Sequence, residues 1–252
     1  MTNREFSFSV NGTRHQALIV GDLIVGDNDL AKPNFVFLHG ASTSTKETVF
    51  NFSYELLKQG ISILAFDHSA VGMGKEAIIK SGVKTSLAKR VEEAREAISR
   101  FASSEPLTIC GLSMGADIAI RLLEYFPVKT LVLLVPAIYS RRAFDTPFGD
   151  EFSAIIQEKG SWRDSETLEL LEKFDGKLLV VYGTKEREDE KFPREVIDLI
   201  DRHSARPRKG GRFIGLPDCP HQLFNWLRQN PDWEKEVLKE LVQFSSWHPS
   251  DS

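Results

Sequence analysis

The sequence predicts an α/β protein built on one mostly parallel sheet, and three observations predict it. Short runs suited to burial on both faces recur along the chain: Phe35 to Leu38, Ile61 to Phe66, Leu107 to Cys110, Leu131 to Val135, Leu178 to Tyr182 and Arg212 to Leu216. Segments of helical period separate them. Ahead of them stands an alternating stretch, Phe6, Phe8, Val10, Ala17 and Ile19, folded about Asn11-Gly12.

Alternation around an Asn-Gly pair marks an antiparallel hairpin, because the tight turn needs residues that tolerate positive φ. With the six runs, the hairpin makes eight strands. Runs apolar on both faces are what buried parallel strands require. A helix is expected from Thr45 to Gln59, with Gly60 as its C-cap. Leu87, Val91, Ala94, Ile98 and Phe101 recur at helical steps. Such a stripe packs on the sheet and leaves Lys89, Arg90, Glu92, Glu93 and Arg95 facing water. Trp233, Val237, Leu241 and Phe244 predict a last helix from Asp232 to Phe244. The basic stretch from Arg202 to Arg212, with His203 in it, reads as a solvated loop. Strands alternating with helices over this length predict one α/β domain spanning residues 1–252.

Composition narrows the function classes. Of 252 residues, 32 are Lys or Arg and 36 Asp or Glu, a net charge of −4, and 41% are hydrophobic. These values suit a soluble globular protein and weigh against nucleic acid as the main partner. The longest apolar run, Leu131 to Ile138, is broken by Pro136 and falls far short of the roughly 20 residues a membrane span needs. The opening residues MTNREFSFSV contain no apolar signal region, so a cytoplasmic protein is expected. Cys110 and Cys219 then read as reduced thiols. Only Cys219 and His221 lie close together, and two ligands do not make a zinc site, so no metal is expected.

The chemistry is carried by Leu107-Thr108-Ile109-Cys110-Gly111-Leu112-Ser113-Met114-Gly115-Ala116. It reads as strand, Gly-x-Ser-x-Gly, helix. A strand that turns sharply into a helix strains the central residue and projects its side chain. Bulky groups two residues to either side would collide, so Gly111 and Gly115 relieve the turn. Ser113 is thereby the candidate nucleophile, and the Met114 amide stands at the helix N-terminus, where an oxyanion can be stabilised. A serine nucleophile needs a base, and the base an orienting acid. Of six histidines, His221 is favoured, because it lies in the loop after the last strand, and open α/β sheets build sites at carboxyl strand ends. The acid is sought in the loop after Leu179-Val180-Val181-Tyr182-Gly183, where Glu186, Glu188, Asp189 and Glu190 crowd together.

These motifs resemble the α/β-hydrolase fold family over nearly the whole chain. The order is a strand followed by His39-Gly40, a strand ending in Asp67 before Gly72-Met73-Gly74, the elbow at Ser113, an acid loop after Gly183, and a histidine after the final strand. The resemblance implies an eight-stranded, mostly parallel sheet with an N-terminal antiparallel hairpin, helices on both faces and a small cap. It implies Ser113 as nucleophile, His221 as base, and the Ala41 and Met114 amides as the oxyanion hole. The family's Gly-x-x-acid spacing selects Glu186. Counting back from Phe192-Pro193 selects Asp189 instead, and Glu186 is preferred because strand-end geometry fixes its position more tightly.

The cap is expected at about 138–174, with room for one or two short helices. Tyr139, Phe144, Phe148, Phe152 and Trp162 either line an acyl pocket or cover the sheet edge. Arg141 and Arg142 read as surface arginines, and Asp117 as an acid favoured in a helix first turn. The resulting expectation is a serine hydrolase acting on a small-molecule carboxylic ester or thioester through an acyl-enzyme, without a cofactor. An acyltransferase or peptidase using the same triad, and a non-catalytic binding protein on the same scaffold, are the alternatives. Acyl length, leaving group and oligomeric state stay open.

Overall fold

A computed structural model describes residues 3–20, 32–41, 44–73, 75–185, 194–204 and 211–246. The hairpin forms as its alternation requires. Strands β1 (Asn3–Val10) and β2 (Thr13–Val20) pair antiparallel, Val10 opposite Thr13. Asn11 and Gly12 close the turn at φ 48° and 79°, the positive values a two-residue turn of this hand demands.

The remaining strands are β3 (Phe35–Leu38), β4 (Ile63–Phe66), β5 (Leu107–Leu112), β6 (Val128–Leu134), β7 (Lys177–Gly183) and β8 (Gly211–Leu216). They form one eight-stranded sheet in the order β1-β2-β4-β3-β5-β6-β7-β8. Only the β1–β2 and β2–β4 pairs are antiparallel. The run from Ile61 loses its first two residues to the turn, and the nucleophile strand continues past Cys110 to Leu112.

Both faces of the sheet are buried, as the unbroken apolar runs demand. Val36, Ile109, Leu131 and Val180 point to one core layer, while Phe37, Cys110, Val132 and Val181 point to the other. The second layer is closed by α1 (Ser53–Lys58), α9 (Leu223–Gln229) and α10 (Pro231–Ser245), through Leu56, Leu223, Val237 and Leu241. A 3-10 turn, Lys46–Asn51, takes the first half of the helix expected before Gly60. Gly60, at φ 73°, ends α1: its N–H donates to Leu57 O and the Ile61 N–H to Leu56 O. That paired pattern satisfies the last carbonyls and needs a left-handed residue there.

Helices α2 (Lys75–Ser81) and α3 (Leu87–Phe101) lead to β5, and α4 (Met114–Arg121) follows it. The Ser86 hydroxyl caps α3 by accepting from the Lys89 N–H. The stripe on α3 is wider than its period suggests. Arg90 is 2% exposed and Glu93 is fully buried, which corrects the expectation that both face water. Each lies three residues beyond a stripe member or one short of it, on the flank of the apolar face, where α4 and the loop after β4 cover it.

The segment from 138 to 174 holds α5 (Arg141–Asp145), α6 (Asp150–Gln157), a 3-10 turn (Ser161–Asp164) and α7 (Glu166–Lys173). This is one α-helix more than expected. The short turns of Ser140, Gly149 and Ser165 start helices within very few residues, and the Ser140 and Ser165 hydroxyls accept first-turn N–H groups. Helix α8 (Arg194–Ser204) carries Arg202 and His203, so the basic stretch begins on a helix rather than in a loop. Burial of Val196, Ile197 and Ile200 against the core brings that end with it.

Candidate active site

The chain reverses its direction of travel across the sheet between β3 and β5. Their carboxyl ends, carrying His39-Gly40-Ala41 and Ser113, therefore open side by side, and such a reversal leaves a crevice. Leu38 pairs with Gly111 at this point.

Ser113 has φ 52° and ψ −115°, a left-handed conformation that a non-glycine residue adopts only when its surroundings impose it. The surroundings are backbone. The Ser113 N–H donates to Leu134 O, and its carbonyl accepts from the Ala116 and Ala137 N–H groups. The flanking glycines let the turn close. A Cβ on Gly111 would lie 2.3 Å from Gly115 O, and one on Gly115 would lie 2.2 Å from Leu38 O. Val135, a β-branched residue at φ 41°, adds a second imposed kink on the cavity wall. Its N–H donates to Val181 O at 2.7 Å.

The elbow aims the Ser113 hydroxyl at His221. Ser113 Oγ and His221 Nε2 are 2.8 Å apart, within the range in which a serine O–H donates to an imidazole nitrogen. They lie 108 residues apart in the chain. The loops after β7 and β8 are joined to bring His221 there. The Thr184 N–H donates to Leu216 O, the Lys185 N–H to Cys219 O, and the Asp218 N–H to Thr184 Oγ1. Gly183 permits this contact, since a Cβ there would stand 2.1 Å from Cys219 O. The loop expected to carry the acid thus starts against the histidine loop. The two acid candidates themselves, Glu186 and Asp189, lie outside the described residues.

Ala41 and Met114 line the same cavity as Ser113 and His221, which encloses about 750 Å³. The His39-Gly40-Ala41 turn presses on the elbow: a Cβ on Gly40 would come within 3.3 Å of Ser113 Cβ. The turn is held from behind by a buried polar cluster. The His39 Nδ1–H donates to Gly40 O at 2.7 Å, and its Nε2 accepts the His68 N–H. Both ring nitrogens are satisfied in the neutral form, and burial, with the charges of His68 and Arg90, holds the His39 pKa well below 6.5. Burial also lowers the pKa of His68, whose Nδ1–H donates to Glu93 Oε2 at 3.2 Å. Burial alone would raise the Glu93 pKa, but donation from His68 and the Ser69 N–H outweighs it and holds the carboxylate at about 2.

Among the cap aromatics, Tyr139, Phe148 and Phe152 line the cavity. Phe144 stacks on the Arg121 guanidinium instead, and Trp162 joins the core. Arg141 pairs with Glu166 and Glu169, and Arg142 with Glu158, so both are surface arginines as expected. Asp117 is more than a first-turn acid: fully buried, it accepts from the Tyr139 N–H and from Arg121 Nε. Burial pushes the Cys110 thiol up, which suits a packing group. Sequence reasoning missed Arg90 on the cavity wall. The available signal was its position on the flank of the α3 stripe, three residues after buried Leu87.

No group of three or more His, Cys, Asp or Glu that could hold a metal ion occurs among the described residues, and no helix among them is long and apolar enough to cross a membrane.

The sheet order and the strained serine turn define an α/β-hydrolase fold. The family model for serine aminopeptidase S33 matches residues 30–187, more than half of the chain, and the chain belongs to this hydrolase family. Among solved structures, an esterase from Pyrococcus furiosus is similar with a TM-score of 0.66 at 19% identity, over 97% of this chain and 92% of that one. An esterase from Exiguobacterium antarcticum gives 0.62 at 17%, over 93% and 97%. An acylaminoacyl peptidase from Pyrococcus horikoshii gives 0.68 at 14%, over 98% of this chain and 43% of that one. At such identities the likeness is one of fold. No curated protein matches the sequence.

Proposed function

We propose that the protein is a serine hydrolase that cleaves a carboxylic ester or thioester through an acyl-enzyme. The observation that carries this reading is the 2.8 Å approach of Ser113 Oγ to His221 Nε2 at a strained elbow facing a cavity. His221 takes the Ser113 proton as Oγ attacks the acyl carbonyl. The Ala41 and Met114 amides bind the developing oxyanion, an interaction worth roughly 10²–10³ in rate per donor. Protonated His221 then passes its proton to the leaving alcohol or thiol. Water, deprotonated by the same imidazole, hydrolyses the acyl-enzyme. Glu186, or Asp189 in its place, orients the imidazole and stabilises its charged form.

The family name supports peptide cleavage as a second reading. An aminopeptidase site must hold a substrate ammonium, and a carboxylate is the usual means. No Asp or Glu lines the cavity among the described residues, whereas Arg90, Arg228 and Lys75 do, the last of them paired with Asp150 at 2.7 Å. That charge pattern favours an ester or thioester over a free N-terminus. The test is labelling with a fluorophosphonate followed by peptide mapping, with kcat/KM measured on short-chain esters, thioesters and aminoacyl amides. Adduct on Ser113, with esterase activity lost in Ser113→Ala, is the expected result. A folded protein that takes no label, or a Ser113→Ala variant with full activity, sinks the mechanism.

A further inference from the structure

Arg90 is 2% exposed, yet no carboxylate among the described residues hydrogen-bonds it. Its Nη1–H points to the Met114 thioether at 3.3 Å, and the Phe148 ring lies 5.0 Å from its Cζ. A thioether is a weak acceptor. Its Nε is buried with no hydrogen-bond partner. The nearest acid on the same helix, Glu93, spends Oε2 on His68 and Ser69, and its Oε1, 3.7 Å from His15 Nε2, makes no hydrogen bond to Arg90. It acts on Arg90 only as a nearby charge. Arg121, almost equally buried, also has one unpartnered nitrogen, Nη2, but two carboxylates, Asp117 and Glu166, accept from it. A buried guanidinium whose donors the protein leaves unfilled is an exception to the rule that buried polar groups are paired.

The position of Arg90 gives the exception a use. It lines the cavity that holds Ser113, and its thioether contact is to Met114, the residue next to the serine and a proposed oxyanion donor. Tyr139 lines the same cavity. The charged side chains among the described lining, Lys75, Arg90 and Arg228, are all cationic, and Arg's planar fork matches two carboxylate oxygens at once.

We infer that the acyl pocket is built for a short acyl group ending in a carboxylate, which Arg90 receives while the acyl carbonyl sits over Ser113. This rests on the proposed ester or thioester hydrolysis and names its substrate class: half-esters or half-thioesters of short dicarboxylic acids. Arg90 and Ser113 line one cavity, and Arg90 touches the side chain of the residue that follows the serine, so a short acyl chain is the class proposed to join them. The chemistry is that of the parent reaction. Ser113 Oγ forms the acyl bond, the alcohol or thiol leaves with the proton from His221, and the distal carboxylate stays intact in the diacid product.

The experiment compares kcat/KM for monoethyl glutarate and monoethyl adipate with that for their diethyl esters, in wild type, Arg90→Met, Arg90→Lys and Tyr139→Phe. Wild type is expected to prefer the half-esters. Loss of a charge-assisted hydrogen bond corresponds to roughly tenfold to a hundredfold, so Arg90→Met is expected to lose that much of the preference, with Arg90→Lys between. Should Arg90→Met fail to fold, the wild-type preference and the other two variants carry the test. Binding of monoethyl glutarate is measured in parallel by calorimetry on Ser113→Ala protein, which needs no turnover. Equal or better binding and cleavage of the diethyl ester overturns the inference and leaves the hydrolase reading standing. Selective half-ester binding without any ester cleavage upholds the carboxylate receptor and overturns the hydrolase reading instead.

Discussion

Replacing Gly115 with alanine tests whether the His39-Gly40-Ala41 turn positions an oxyanion donor. The new Cβ would lie 2.2 Å from Leu38 O and 2.8 Å from both His39 O and Leu38 C. All three are backbone atoms, so no side chain can swing aside. Ordinary contact begins at 3.4 Å, and the end of β3 must therefore part from the start of α4 by roughly 1 Å. Overpacking of this kind costs about 1–3 kcal/mol, which for a chain of this length lowers Tm by roughly 2–12 °C. The same displacement moves Ala41 away from Ser113. Misplacement by about 1 Å costs on the order of 10²-fold in rate, and complete loss of one oxyanion donor roughly 10²–10³. The assay is kcat/KM on a short-chain ester, with circular dichroism to confirm folding and a thermal melt. Gly211→Ala is the control, since the Cβ there meets only Leu178 O at 3.9 Å. A folded Gly115→Ala enzyme within about threefold of wild-type kcat/KM would refute the argument that this close approach sets the oxyanion geometry.

Three further outcomes are expected. Glu186→Gln is expected to lower kcat by roughly 10³–10⁴ and Asp189→Asn to change it little, as measured by ester turnover; the reverse pattern transfers the acid role to Asp189. Stability is expected to fall on acidification below 6.5. His39 and His68 have folded pKa values below that figure, so the unfolded chain binds protons first and each neutral histidine loses its stabilising effect as the pH drops. Two such groups give a slope of up to about 3 kcal/mol per pH unit, and urea unfolding between about pH 7.5 and 5.5 checks it, a flat profile counting against the buried neutral pair. Asp117→Ala is expected to lower Tm by roughly 6–12 °C, from a loss of about 3 kcal/mol, because the Tyr139 N–H loses its acceptor and Arg121 keeps only Glu166. A melt within about 2 °C of wild type would show that the acid is dispensable.

What could be read from residues alone follows from how each signal arises. The elbow was legible because its requirements are local: a strand into Leu112, a strained Ser113, glycines at 111 and 115 facing backbone. His221 was legible because parallel sheets place their loops at one end, so position after the last strand suffices. The burial of Arg90 and Glu93 is not legible in the periodicity, for a physical reason. Helical periodicity locates the centre of a buried stripe but says nothing of its width, and width depends on what covers the flanks. Here Met114 and Phe148 cover one flank and His68 and Ser69 the other.

The burial of these two charges bears on function. Charged residues on a stripe's flank are ordinarily solvated, and burying one costs several kcal/mol unless it is paired. Glu93 recovers that cost through His68 and Ser69, and so steadies the His39 turn under the elbow. Arg90 recovers little of it from a thioether and a ring face. The same helix therefore meets the site in two ways, with an anion bonded through Oε2 behind the His39-Gly40-Ala41 turn and a cation without a carboxylate partner at the pocket wall. A hydrophobic residue at position 90 would fill the space beside Met114 at lower cost. The guanidinium there is best accounted for by a ligand that completes its hydrogen bonds during turnover.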